Sequence, residues 1–313
     1  FDYSGGATCP SLLLEPSRTN LLPYSEYFGG WTTFRSSVSA NEATSPEGLI
    51  NAYKLIQQSG QTTSGGVFKG VTTIDATTYT YTFFAKEAGY GWCYARLTGG
   101  GNDYYAWFGL SNGYGFQCEQ GSYATSYIPT YGVSQTRATE ICNGAGDVNT
   151  FNSTEGVLYT EISALSNDGA NRAISIYKDS SLDNLINIQY NSVSQNIRYL
   201  YRQGVSSIAD LNFVVSDITS VHKIAGSWAN NNFRLFVDGV KVGEQLSGNV
   251  APANTFITLG FNRPDGQLFE GKAKEVIVFK EALSDLDLEI LTGATTYNTF
   301  AEMALALNYT VYE

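Results

Sequence analysis

Short runs that alternate apolar with polar residues, cut apart by Gly, Asn, Asp and Ser, dominate this chain. Tyr79-Thr-Tyr-Thr-Phe-Phe-Ala-Lys86 is the plainest example. A period of two sends successive side chains to opposite faces of an extended backbone, so such a run makes a strand with one buried face. Gly91 to Leu97 and Tyr104 to Leu110 read the same way, with Thr98-Gly-Gly-Gly-Asn-Asp103 as a flexible hairpin loop between them. A turn-rich junction follows at Cys142-Asn-Gly-Ala-Gly-Asp147. Beyond it, Gly156 to Leu165, Ala173 to Tyr177, Ile186 to Tyr190, Ile197 to Tyr201 and Asn212 to Val215 have strand length and composition. So do Val221 to Trp228, Phe233 to Val237, Val240 to Glu244, Thr255 to Phe261 and Lys274 to Phe279. Strands at this density, with almost no helix between them, predict an all-β chain of two antiparallel sandwiches in series.

The sharpest local prediction is the hairpin Phe233-Arg-Leu-Phe-Val-Asp-Gly-Val-Lys-Val242, because Asp238-Gly239 supplies two residues able to take the positive φ of a type I′ turn. Two helices are expected after the last strand. Ser284-Asp-Leu-Asp287 is a capping-box start with Asp287 in place of the usual Glu or Gln. Phe300, Met303, Ala304 and Leu307 then fall on one helical face at i, i+3, i+4 and i+7, which should dock on the sandwich or on a neighbouring subunit.

Composition narrows the function classes. Of 313 residues 43% are apolar, enough for two cores, and 22 are tyrosines. The net charge of −11, with only 18 scattered basic residues, argues against a nucleic-acid partner and against an anionic membrane surface. No run approaches the roughly 18 apolar residues of a membrane span. The chain begins at Phe1 and its one methionine is Met303, so it is expected to be a processed product or a fragment.

The cysteines Cys9, Cys93, Cys118 and Cys142 include no Cys-x-x-Cys pair and no neighbouring His, which speaks against zinc. Buried free thiols are the first reading. Cys9 with Cys142, and Cys93 with Cys118, remain open as pairings.

Two phrases bracket the first 140 residues. One is Ser11-Leu-Leu-Leu-Glu-Pro-Ser-Arg-Thr-Asn20, leading to Tyr24-Ser-Glu-Tyr-Phe28 and Trp31. The other is Gly121-Ser-Tyr-Ala-Thr-Ser-Tyr-Ile-Pro-Thr130, running on to Thr136-Arg-Ala138. Together they resemble the opening and closing of a jelly-roll, carbohydrate-binding-module-like domain of bacteriophage tail-fibre and head-fibre proteins. The Trp228 to Val242 region resembles the central hairpin of concanavalin-like (laminin G-like) sandwiches, which often follow that jelly roll. Glu275 to Ser284 resembles the last strand of the same fold. The resemblance implies a jelly roll over residues 1–142, a concanavalin-like sandwich over 143–293 and a helical extension over 294–313. The stretch from Trp107 to Gly121 is shorter than the resemblance leads one to expect.

By resemblance, the chain is a fibre or spike component on the virion surface, made in the host cytoplasm. It would be a homotrimer that contacts other virion proteins and attaches, without catalysis, to host cell-surface polysaccharide. A structural decoration or assembly protein, and a polysaccharide depolymerase, stand as alternatives.

Alternation places Trp92 and Tyr94 on one face of the hairpin with Tyr105 and Trp107, and flat aromatic faces suit stacking on sugar C–H groups. The same face would equally suit packing against the second domain or across a subunit interface. The turn Asn262-Arg-Pro-Asp-Gly-Gln267 is a second candidate, through Asn262, Arg263 and Asp265, although the last two could simply satisfy each other. No catalytic motif stands out. Asp285-Leu-Asp-Leu-Glu289 reads as the first turn of a capped helix, where negative charge suits the dipole, rather than as a pair of catalytic acids. His222, the single histidine, is expected to be structural, with no nucleophile motif such as Gly-x-Ser-x-Gly to serve. No metal site or other cofactor is predicted. Some related sandwiches bind calcium, but no Asp-rich loop with its ligand spacing occurs here.

Overall fold

The computed structural model describes residues 2, 10–60, 65–86, 93–99, 102–108, 112–191, 193, 195–293 and 300–307, with backbone only for residues 86, 93–99, 102–108, 112, 113, 300 and 301. The chain is mostly β, with sandwich-like sheets and short helices near its C-terminus. It divides into two compact units, residues 16–139 and residues 1–15 with 140–313. The first boundary differs from the one drawn by sequence at residues 1–142. Leu12–Leu14 pairs antiparallel with Gly271–Ala273 of the later unit. That sheet edge offers open backbone groups, and Leu14 is buried in the core beneath it.

The later unit stacks two sheets. One has six strands in the order Leu12–Leu14, Gly271–Phe279, Gly156–Ala164, His222–Ala229, Asn232–Val237, Val240–Gln245. The other has five, in the order Ser206–Val214, Asn196–Gln203, Leu185–Tyr190, Arg172–Tyr177, Thr258–Gly260. Between them lie Leu158, Ile162, Ile174, Ile188, Tyr199, Trp228 and Phe233. The outer face of the six-stranded sheet is covered as well. Val157, Tyr159, Ala225 and Phe236 pack there against Leu288 and Leu291 of the helix Asp285–Thr292 and against Met303 and Leu307. The local expectations for this unit hold. Asp238 and Gly239 have φ of 50° and 83°, and Val237 pairs with Val240 across the turn. Ser284 and Asp287 cap the helix reciprocally, and Met303, Ala304 and Leu307 are buried in the helix Phe300–Ala306 and the residue after it.

The unit of residues 16–139 is built around the four-stranded order Ser36–Thr44, Ile50–Gln57, Asn112–Gln120, Tyr79–Lys86. Shorter antiparallel pairs join Arg18–Asn20 with Gln135–Arg137, Thr32–Phe34 with Gly66–Phe68, and Cys93–Gly99 with Asn102–Phe108. Rings fill its centre: Phe116 stacks on Phe83 at 4.9 Å and meets Phe28 and Trp31 edge-on, each at 5.3 Å. Cys118 and Cys142 are free cysteines; for Cys9 and Cys93 the side chains lie outside the described residues. Among the described residues no helix is long and apolar enough to cross a membrane.

Candidate functional site

The two phrases that bracket the 16–139 unit pin each other through buried polar side chains. Asn20 donates from Nδ2 to the carbonyls of Ile128 (2.8 Å) and Phe116 (3.2 Å), while its Oδ1 accepts from the backbone N–H of Leu22 and of Cys118 (3.1 Å each). Thr130 Oγ1 donates to the Leu22 carbonyl (2.6 Å) and accepts from the N–H of Ser25 (2.8 Å) and Tyr24 (3.2 Å). A buried polar group is tolerated only when bonded, and every bond here except the local one from the Leu22 N–H crosses from one phrase to the other or to the strand between them. The chain that follows Asn20 is thereby fixed, and Tyr24, Glu26 and Tyr27 are carried to the surface.

There they meet Asn41, Asn51, Tyr53, Tyr114 and Tyr131 around an open cleft of about 400 Å³. The walls are aromatic. Tyr27 stands edge-on to Tyr24 (5.9 Å between centroids) and to Tyr53 (6.1 Å), and Tyr53 packs on Phe28 at 5.3 Å. Tyr131 and Tyr27 are 71% and 52% exposed, whereas Tyr114 is buried at the base. Tyr24 has φ of 110°, an unusual conformation for a bulky residue and one that costs about 1–3 kcal/mol. Trp31 Nε1 donates to its carbonyl (2.8 Å) and Thr130 takes its N–H, so the strain is held from both sides. Gly30 leaves room for its ring, since a Cβ there would come within 2.8 Å of the Tyr24 side chain.

The polar groups of the cleft pair phenol donors with carboxylate acceptors. Tyr114 donates to Glu47 Oε1 (2.7 Å), Tyr127 to Glu26 Oε1 (3.0 Å) and Tyr131 to Glu26 Oε2 (3.5 Å). Burial first, then the bond to Glu47, pushes the Tyr114 phenol well above its ordinary range. Burial likewise raises Tyr127, and the charge of Glu26 raises Tyr131. The phenols therefore stay protonated donors. Among the described residues the Asn51 Oδ1 is a buried acceptor without a hydrogen-bond partner.

The residues chosen from sequence lie elsewhere. Tyr94 pairs in register with Trp107, and Arg96 with Tyr105, on the hairpin Cys93–Gly99/Asn102–Phe108; Trp92 and the side chains of the other three lie outside the described residues. In the Asn262 turn the residues work on their own surroundings. Asn262 accepts from Tyr177 OH (3.4 Å), and Arg263 Nη1 reaches Gln189 Oε1 (3.4 Å) with its Nε 3.6 Å from Asp265 Oδ1. The turn adjoins the face of the five-stranded sheet opposite the core. Arg198 grips Asp210 there through two bonds of 2.7 and 2.6 Å, and Asn212 adds a third to Asp210 at 3.0 Å. Among the described residues no group of three or more His, Cys, Asp or Glu could hold a metal ion.

Residues 147–289 match the family model described as the Concanavalin A-like lectin/glucanases superfamily, so the later unit contains a concanavalin A-like, laminin G-like domain. No curated protein sequence matches the chain. Among solved structures, the heptameric SAP-like pentraxin of Limulus polyphemus is similar at 11% identity and a TM-score of 0.40, over 49% of this chain and 75% of that one. The CBM40 of the Ruminococcus gnavus IT-sialidase is similar at 14% and 0.40, over 49% and 95%. The leech intramolecular trans-sialidase is similar at 21% and 0.37, over 46% of this chain and 24% of the enzyme. At these levels the likenesses say nothing about a ligand.

Proposed function

We propose that this chain is a non-catalytic attachment protein that holds a surface glycan in the tyrosine-lined cleft of residues 16–139. The cleft carries the reading: tyrosine rings stand open to solvent beside fixed acceptors, a combination of flat apolar faces and placed hydrogen-bonding groups that suits a pyranose. The finer role, a component of a phage fibre or spike at the virion surface, is supported by the opening and closing phrases. The cross-bonds of Asn20 and Thr130 give those phrases a physical purpose. In that role host envelope polysaccharide is the partner, and a homotrimer would multiply a weak site into avidity. Trp92, Tyr94, Tyr105 and Trp107 are proposed as a second aromatic contact surface, and Asn262, Arg263 and Asp265 as a polar one.

A glycan array of the purified protein tests this, using envelope polysaccharides of candidate hosts, with Tyr27→Ala/Tyr131→Ala and Trp92→Ala/Trp107→Ala variants alongside. Binding should fall about tenfold or more in the Tyr27/Tyr131 variant without loss of folding, because both side chains are largely exposed. A loss confined to the Trp92/Trp107 variant would move the site to the hairpin. Silence from a folded protein would favour a purely structural role, and release of reducing ends would make it a depolymerase.

A further inference from the structure

The charge around the cleft goes beyond a preference for sugars in general. Resting on the attachment reading, we infer that the cleft selects an amino sugar with a free ammonium group and rejects acidic sugars. Of the eight lining residues among those described, five are tyrosines, two are asparagines, one is Glu26, and none is Lys, Arg or His. Glu47 adds a second carboxylate through its bond to Tyr114. Lys69, which lies 5.0 Å from the centroid of the Tyr24 ring, is committed to the Gly30 carbonyl (2.9 Å).

Each ingredient favours positive charge. Aromatic faces attract cations through their quadrupoles, so tyrosines about a cleft make an environment for an ammonium as well as for C–H groups. Glu26 spends its two oxygens on Tyr127 and Tyr131, yet a carboxylate oxygen accepts more than one bond and keeps its charge. Asn51 Oδ1 is the remaining piece. It is a buried acceptor with no donor among the described residues, a group that favours a ligand able to supply an N–H or O–H. A uronate or sialate would instead bring its carboxylate toward Glu26 and Glu47 with no lining cation to offset the repulsion, and a net charge of −11 opposes its approach from a distance. A neutral sugar satisfies Asn51 and the rings but leaves the acidic character of the site unused.

The probes are chitotetraose, its fully de-N-acetylated counterpart and tetragalacturonate, titrated by calorimetry against the wild-type chain and Glu26→Gln. The de-N-acetylated oligomer should bind about tenfold tighter than chitotetraose, with tetragalacturonate undetectable. In Glu26→Gln that ratio should fall toward one, whatever becomes of the absolute affinities. Should the variant misfold, the salt dependence of the wild type gives the same information: added salt should weaken the amino oligomer and leave chitotetraose unchanged. Tighter binding of the neutral or acidic oligomer, or a preference insensitive to salt and to Glu26→Gln, overturns the inference and leaves the attachment reading standing. Silence from the amino oligomer overturns it too, whether or not a neutral glycan binds on the array. Silence across the whole array overturns the attachment reading as well.

Discussion

In the sandwich of residues 140–313 the strand Gly156–Ala164 is buried at every position, its alternate residues facing a core on one side and a helical cover on the other. In the unit of residues 16–139 the strand Ser36–Thr44 has a single buried position, and the chain ends are tied by Asn20, Ser25 and Thr130 instead. Apolar burial is non-directional and scales with area, so the first arrangement gives a stiff, close-packed scaffold. Polar ties depend on geometry, but they hold a few loops in one place with little apolar cover. An open cleft needs the second arrangement, because rings buried for stability could not also be offered to a ligand.

The largest effect expected from breaking this contrast is that of Trp228→Ala. Its indole is fully buried at the centre of the later sandwich and donates to the Asn152 carbonyl (3.1 Å). Removal should cost that unit about 3–5 kcal/mol. Chemical denaturation followed by near-ultraviolet dichroism should show one transition moved while glycan binding to the cleft survives in mild denaturant. A common shift of all signals, with binding lost in step, would mean that the two units do not fold separately.

Asn20→Ala should come next, at roughly 3 kcal/mol, because it strands two backbone N–H groups and two carbonyls in a buried place and water can reach only part of them. The expected signature is the reverse of the first: the 16–139 transition moves and the cleft fails, while the concanavalin-like unit melts as before. An Asn20→Ala protein that keeps its stability and its glycan affinity would show that the polar ties do not hold the cleft.

How legible each unit was in the sequence follows from the same contrast. The hairpin at Asp238-Gly239, the Ser284–Asp287 box and the buried face of Met303, Ala304 and Leu307 were readable because each is set by residues within a few positions of one another. Period-two alternation gave the strands and the sandwich class for the same local reason. The cleft was not readable. Tyr24, Glu26 and Tyr27 lie within the opening phrase with nothing to set them apart, while Tyr53, Tyr114 and Tyr131 are three among 22 tyrosines. What makes them a site is contact between distant positions, such as Tyr114 with Glu47 across 67 residues and Tyr127 with Glu26 across 101. The available signal was the richness of polar residues in the two phrases, since Asn, Ser and Thr in an otherwise apolar run imply buried bonding partners. The pairing of Leu12–Leu14 with Gly271–Ala273 was hidden similarly, by a separation that no local pattern spans.

The smallest expected effect tests the apolar sandwich at a polar tie of its own. His222 is nearly buried beside the hairpin turn, with Nδ1 2.7 Å from Asp238 Oδ2 and Nε2 2.9 Å from the Asp217 carbonyl. Both neighbours are acceptors, so only the imidazolium satisfies both ring nitrogens as donors. The bond to Asp238 raises the His222 pKa against the opposing effect of burial, with the Asp217 carbonyl adding to the rise. Burial works against ionised Asp238, but the bond from His222 and the Lys223 N–H outweigh it and hold its carboxyl below the usual range. The signs then follow from linkage. The His222 contribution is complete below its unfolded pKa of roughly 6.5 and is lost as pH rises through the higher folded value; the Asp238 contribution is complete above roughly 3.9 and is lost as pH falls through the lower folded value. The pair is therefore strongest between about pH 4 and 6.5. Urea titrations at pH 6 and pH 8 should show the later unit losing a little stability at the higher pH, and His222→Gln should remove that slope. Because His222 is the only histidine in the chain, a slope that persists in the variant would exclude this pair as its source. The later sandwich would then owe nothing measurable to the tie, which would widen its contrast with a unit held by Asn20 and Thr130.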